Sequence, residues 1–418
     1  MKKVLMVAHH YPPDGSSSGV LRPLKFSKYL PQNGWAPHIL TLREALYPVR
    51  DPGLLRDIPS EATVHRTLAL DSARHLAVRG RYLALFAIPD RFVSWVLFGA
   101  ARGLSVIRKT GIHAIYSTSP PPTAHLIGAV LRAFTGVPWI ADFRDPWIED
   151  GIYPRPGTLR YRVEAAMEGM VVRTSNSVLV TTPYFRTELL ARYPELPGQK
   201  VRVIYNGYDE ADFQDLPIVG KGARFEIIHA GLVTPEFRDP FPFMRAVAAL
   251  ISSGDLPREG LQITFLGGGP YVVSADFSHK VKGLDLQSVV QVDDRVPHRQ
   301  ALQRLGQASA LLLLQASDDT RSLIPAKSFE YLRIGRPILA LTLEGATADL
   351  LHGVEGCYVV NPADDTGLRH AVKQLYELWR KEANGAPLAR SIHRYERMNL
   401  TGELAHLLNE LSSTTRKK

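Results

Sequence analysis

The chain has 418 residues, and 45% of them are hydrophobic, which excludes a disordered polymer and exceeds what one hydrophobic core normally serves. Its single cysteine, Cys357, excludes an intramolecular disulfide and a cysteine-based metal site and suits a reducing cytoplasm. The formal charge of +9 suits an anionic membrane surface or a phosphorylated substrate, while no zinc-finger spacing or aromatic RNA-binding strand supports nucleic acid.

In chain order, the apolar run from Lys3 to His9 predicts a first strand, too short and too soon interrupted for a signal peptide. The loop Tyr11-Pro12-Pro13-Asp14-Gly15-Ser16-Ser17-Ser18-Gly19 follows, and Leu21 to Leu30 has helical spacing. Strand, glycine loop and helix open a doubly wound domain, although the Gly-x-Gly-x-x-Gly dinucleotide fingerprint is missing. Further strands are expected at Trp35–Leu42, Ala62–Arg66, Ala114–Thr118, Val137–Ala141, Ser177–Thr181 and Val201–Tyr205. The stretch from Arg81 to Lys109, aromatic from Tyr82 to Phe98, has basic flanks and Pro89 within it. It reads as two helices that either pack on a sheet or lie in a membrane interface. Thr123 is placed to cap the next helix. The loop Asp142-Phe143-Arg144-Asp145-Pro146-Trp147 combines carboxylates, arginine and aromatics, as a sugar-binding loop does; the alternative is an internal Arg144–Asp pair that shapes it.

The alternation restarts with strands at Phe225–Ala230, Leu261–Leu266, Val289–Val292, Ala310–Leu314, Ile338–Leu341 and Gly356–Val360. Helices are expected at Phe243–Ile251, Ala301–Gln307, Thr366–Lys381 and Leu388–Leu411. The expected division is therefore 1–215 and 224–387, with a linker at 216–223 and a terminal helix in 388–418. Both halves are α/β, each a doubly wound, Rossmann-like parallel sheet, and together they are expected to face a cleft. No apolar run reaches the ~18 residues of a membrane span.

The most informative stretch is Ser322-Leu323-Ile324-Pro325-Ala326-Lys327-Ser328-Phe329-Glu330-Tyr331-Leu332, which runs on through Gly335-Arg336-Pro337-Ile338-Leu339-Ala340. Pro325 suits the start of a helix, Gly335 its end, and Pro337 prevents its return. Lys327 and Glu330 share a face of the first turn, where free amides and the positive dipole end attract phosphate. The alternative is a surface ion pair on an ordinary helix.

This segment resembles the donor site of the retaining glycosyltransferases of family 4, or group 1, whose pattern is Lys-x-x-Glu-Tyr-Leu-x-x-Gly-(Lys/Arg)-Pro-(Ile/Val)-Leu-Ala. The match is strong here and weak over the rest of the chain. The resemblance implies the GT-B architecture and transfer of a sugar from a nucleoside-diphosphate sugar to an acceptor hydroxyl, in surface polysaccharide or glycoconjugate synthesis. It implies no cofactor and no metal, with Lys327 and Arg238 on the diphosphate and Glu330 on the ribose. It extends the donor site to Gly15, Gly19, Gly231, Gly268, Val296, Ser322, Leu323 and Ile324, and puts His9, Asp142 and Arg144 on the acceptor side. Asn206-Gly207-Tyr208-Asp209 matches the family's segment before its interdomain linker, and the terminal helix is expected to return to the first domain. The family often has a second glutamate where this chain has Ser322, and a histidine at a strand end that here closes on Thr118-Ser119. His125, His9 and His10 are the remaining candidate bases. A catalytically inactive sugar-nucleotide-binding subunit and a sugar-nucleotide 2-epimerase of the same fold are the alternatives. The resemblance also implies glycan or lipid-linked acceptors, with the protein in the cytoplasm and in peripheral contact with the inner face of the membrane.

Overall fold

The computed structural model describes residues 1–75, 87–148, 156–214, 216, 222–317, 320–381 and 387–414. They form two compact units, Met1–Asn206 with Arg394–Lys418, and Gly207–His393. Most of the expected linker, and Tyr82 and Phe86 of the aromatic stretch, lie outside the described residues.

The first unit holds β1 (Lys2–Ala8), α1 (Leu21–Tyr29), β2 (Trp35–Leu42), β3 (Thr63–Thr67), α2 (Ser72–His75), α3 (Trp95–Thr110) and β4 (Ala114–Ser119). It continues with α4 (Thr123–Thr135), β5 (Trp139–Phe143), α5 (Leu159–Thr174), β6 (Ser177–Val180), α6 (Pro183–Arg192) and β7 (Val201–Val203). The seven strands are parallel in the order β3-β2-β1-β4-β5-β6-β7. The order reverses beside β1, which makes the sheet doubly wound and puts a crevice at its carboxyl end. β1 is buried on both faces, as its unbroken apolar run requires. Val7, Leu40, Trp95, Ile127 and Trp139 build the core on one face, and Met6, Leu24, Phe26 and Tyr116 on the other.

The second unit holds β8 (Phe225–Ala230), α7 (Phe241–Ser252), β9 (Leu261–Leu266), α8 (Ala275–Gly283), β10 (Val290–Asp293), α9 (His298–Gln307) and β11 (Ala310–Gln315). Then come α10 (Ala326–Ile334), β12 (Ile338–Thr342), α11 (Ala346–Leu351), β13 (Cys357–Val360) and α12 (Asp365–Lys381). The six strands are parallel in the order β10-β9-β8-β11-β12-β13, again reversing beside the unit's first strand. Leu312, Leu314 and Leu339 from the sheet pack with Phe243, Val247 and other apolar side chains. The chain ends with α13 (Arg397–Thr414), which belongs to the first unit. Leu400, Leu404, Ala405 and Leu408 join the core beneath α1.

Two local expectations are corrected. Thr123 does not cap α4: its amide and hydroxyl both donate to the Asp90 carboxylate, at 2.8 and 2.7 Å, so Asp90 does the capping from outside the helix. The last helix starts at Arg397 and not near Leu388, because Leu388 and Arg390 are bonded to the second unit's Gly335 and Glu355. α5, α8 and α11 are elements that the sequence pattern had not disclosed. Among the described residues no helix is long and apolar enough to cross a membrane.

Candidate functional site

In the second unit, β8 ends at Ala230 and the chain turns at Gly231 with φ +104°, a conformation that favours glycine. The turn is zipped to its neighbour: the Gly231 amide donates to Leu266 (2.8 Å) and the Val233 amide to Gly268 (3.0 Å). Gly268 is dictated by packing, because a Cβ there would lie 2.7 Å from Val272. α10 starts over this turn with Pro325 as its N-cap and no side-chain cap on its first amides. Gly335 ends it in the left-handed conformation. Phe329 and Leu332 bury the inner face, as their spacing implies.

Two side chains of α10 grip the last residue of β8. The Tyr331 hydroxyl accepts the Ala230 amide at 3.0 Å, and Lys327 Nζ donates to the Ala230 carbonyl at 2.6 Å. A Cβ on Gly231 would come within 3.0 Å of Nζ. Parts of the Lys327 side chain remain accessible, but the ammonium sits among packed atoms. That burial, reinforced by the Arg238 guanidinium and weakly opposed by Glu330, lowers its pKa to about 7. Arg238 is also lowered by burial; its Nη1 reaches the Leu232 carbonyl at 3.3 Å and its buried Nε has no partner. Beneath them His229 is fully buried. Its Nδ1 lies 3.0 Å from the Leu312 carbonyl and so carries the proton, and its Nε2 is unpartnered. Burial and the two cations hold it neutral.

Glu330 lies one turn further on and receives a 2.8 Å bond from His298 Nε2, at the start of α9. Val296 is half-buried in the loop just before. Ser322 and Ile324 are buried in the loop that leads into α10, and Leu323 is fixed through its amide to Thr320 and its carbonyl to Thr347. The Lys327 ammonium thus lies at the Gly231 turn and feels the charges of Arg238 and Glu330. Sequence reasoning missed the roles of Tyr331 and His229. Tyr331 is four residues from Lys327 on the same helix face, which was a usable signal.

The remaining candidates belong to the first unit. The Asp142 carboxylate is fully buried and takes two bonds from Arg22 (2.9 and 2.8 Å), one from Tyr116 (2.6 Å) and one from Thr118 (2.8 Å). Those donors hold it below the usual carboxylate range in spite of burial. Arg144 donates to three carbonyls, of Ser119, Gly19 and Pro120, and so pins the loops after β1 and β4. Gly19 leaves no room for a side chain against that guanidinium, and Gly15 is bonded through its amide to Val49. His125 is buried between Ser117, 2.8 Å from its Nδ1, and the Phe143 ring, and burial lowers its pKa to about 3. His9 is 5% exposed with both ring nitrogens unpartnered, its ring against Phe92 and His10, and it too is held neutral by burial. His10 pairs with Asp14 at 2.6 Å.

Residues 23–207 match the model of the glycosyl transferase 4-like domain. The fold is GT-B, shared with solved structures over the whole chain. Sucrose-phosphate synthase from Thermosynechococcus elongatus superposes with a TM-score of 0.62 at 13% identity, covering 100% of this chain and 98% of that one. The catalytic domain of starch synthase IV from Arabidopsis thaliana, bound to ADP and acarbose, gives 0.60 at 12%, covering 100% and 99%. The UDP-GlcNAc 2-epimerase from Methanocaldococcus jannaschii gives 0.56 at 12%, covering 98% and 100%. No curated protein matches the chain in sequence. The resemblance to family 4 glycosyltransferases, drawn mainly from the segment around α10, is thus joined by a family match in the first unit and a shared fold over both.

Proposed function

We propose that this protein is a glycosyltransferase that transfers a sugar from a nucleoside-diphosphate sugar to an acceptor hydroxyl with retention of configuration, in surface polysaccharide or glycoconjugate synthesis. The observation that carries the reading is the positive charge at the end of β8, where Lys327, in the first turn of an uncapped helix, feels the charge of Arg238. Their hydrogen bonds go to neutral carbonyls, so a diphosphate offers each cation a stronger acceptor. As the bond to the sugar breaks, charge grows on the diphosphate, and preorganised cations and amides stabilise that charge. Glu330 takes the ribose hydroxyls. Gly231, Gly268, Val296 and the loop Ser322–Ile324 shape the pocket, and no cofactor or metal enters the step. The ADP bound to the starch synthase domain supports a nucleoside diphosphate in this fold.

On the acceptor side, Asp142 and Arg144 act by fixing loops, since their polar atoms are engaged within the first unit. The full burial of His125 suits an imidazole that braces Ser117 and Phe143 better than one that meets an acceptor. α3 carries the exposed apolar Leu97 (74%) and Phe98 (39%) together with exposed Arg102, Arg108 and Lys109, and Phe134 on the adjoining α4 is 73% exposed. That combination supports peripheral contact with the inner face of a membrane and a lipid-linked acceptor. Vesicles of anionic lipid should sediment the protein at low salt and release it at high salt; no sedimentation at low salt removes the membrane part of the reading.

A thermal-shift panel of UDP-, GDP- and ADP-sugars tests the donor reading. The right donor at 100 times its dissociation constant should stabilise by ~2.7 kcal/mol, and silence across the panel would refute it. Turnover of the labelled donor then separates two further outcomes. Binding without transfer to any acceptor points to an inactive subunit, for which Ser322 in place of glutamate is the motivating residue. Inversion at C2 of free UDP-GlcNAc points to an epimerase, the reading that the Methanocaldococcus neighbour supports.

A further inference from the structure

The bond between His298 and Glu330 ties two helices of the second unit together through the side chain assigned to the ribose. His298 is the first residue of α9 and Glu330 lies in α10, 32 residues on. Their side chains are 27% and 17% exposed, so the pair is sheltered but reachable by a ligand. The carboxylate can only accept, so the proton of the 2.8 Å bond sits on His298 Nε2. Both helices are themselves anchored. α9 is tied through Arg304 to Asp293 (3.1 Å) and Arg299 to the Gln214 carbonyl (3.0 Å). α10 is tied through Arg333 to Glu210 and Arg390 to the Leu332 carbonyl (3.3 Å). Glu330 therefore does not sample its rotamers freely. A glutamate left loose would have to be ordered when the donor binds, and that ordering weakens affinity. A carboxylate has about four acceptor positions, so one bond to His298 is compatible with taking a sugar hydroxyl as well.

We propose that His298 is a positioning residue that pre-orders Glu330 for the 2′-hydroxyl of the donor ribose, and so sets the enzyme's preference for ribonucleotides over 2′-deoxyribonucleotides. The inference rests on the donor reading given above. Its test is calorimetric binding of UDP, GDP and ADP and of their 2′-deoxy counterparts to the full chain. For the nucleotide that binds, the parent should prefer the ribose form. His298→Ala should weaken the ribose form by about three- to tenfold and leave the 2′-deoxy form unchanged, narrowing the preference. His298→Gln keeps a donor near the Nε2 position and should restore most of it, and it serves as the measured variant where the alanine variant does not fold. Equal weakening of both forms by His298→Ala, or no weakening of either, overturns the inference. Glu330→Gln should lose the same preference; a Glu330→Gln protein that discriminates as the parent does overturns the donor reading itself, whatever His298 does.

Discussion

Asp142 and Lys327 are charged groups at the carboxyl ends of two parallel sheets of the same winding, and they are held in opposite ways. Asp142 faces four donor bonds, two of them from a guanidinium that is itself buried. Register helps: Thr118 in β4 lies directly opposite Asp142 in β5. Among the described residues Lys327 has a single carbonyl as its hydrogen-bond acceptor, with Arg238 as a second cation acting on it and Glu330 as the opposing charge. A charge that is saturated by the fold contributes to the fold. A charge that burial keeps short of partners is stabilised most by whatever ligand supplies the missing counter-charge.

The largest effect should come from breaking the saturated side. Asp142→Ala strands the Arg22 guanidinium in the interior (side-chain exposures 2% and 0% for Arg22 and Asp142) and should cost about 3–5 kcal/mol of stability in urea unfolding. A loss below about 1 kcal/mol would mean that Asp142 is not the keystone described. Lys327→Ala should do the reverse. It removes an unfavourably buried cation, so stability should stay within about 1 kcal/mol of the parent, while kcat falls about a hundredfold or more with the optimal donor. Arg238→Ala should lower kcat to a similar degree. A folded Lys327→Ala protein with full turnover would erase the contrast.

The lowered pKa of Lys327 sharpens the same contrast with a smaller effect. Its folded value of about 7 lies below the ordinary 10.5, so between those values the unfolded chain binds more protons than the native one. Stability should therefore rise with pH across that window relative to Lys327→Met, which is readable from paired urea titrations at pH 7.5 and 9.5. Donor binding should move the other way. Diphosphate requires the charged amine, so affinity should weaken above pH 7 by up to about tenfold per pH unit, and Lys327→Arg should flatten the profile. The smallest effect belongs to a single bond at the start of α4: Thr123→Ala removes one donor from Asp90 and should cost about 1 kcal/mol in thermal unfolding.

The strands were largely legible because a parallel sheet covered on both faces needs unbroken apolar runs. β2, β8 and β9 begin and end where the sequence suggests. α5 was not legible, because its buried face carries Glu164 and Glu168. Trp147 and Arg160 answer the first, and Arg192, Tyr193 and the Ile148 amide the second. Hydrophobic period cannot disclose a helix whose inner stripe is partly ionic. The candidate site divides in the same way. Lys327 and Glu330 are three residues apart and could be read as a pair. Arg22 and Asp142 are 120 residues apart, and His298 is 32 from Glu330, so no local pattern announces either partnership. The sequence therefore left Asp142 and Arg144 open between ligand-facing groups and an internal pair; the fold gives the carboxylate to Arg22 and the Arg144 guanidinium to three carbonyls.

Ala230 is gripped on both sides, through the peptide groups that precede and follow its Cα. Its carbonyl is bonded by Lys327 and its amide by Tyr331, two side chains one turn apart on α10. A phosphate that draws Lys327 away would release the carbonyl and leave the amide bond in place. In a protein labelled with 13C and 15N, the Ala230 carbonyl resonance should then shift on titration with inorganic pyrophosphate while the Ala230 amide resonance stays nearly fixed, so that one backbone position reports occupancy of the pocket and carries its own internal reference.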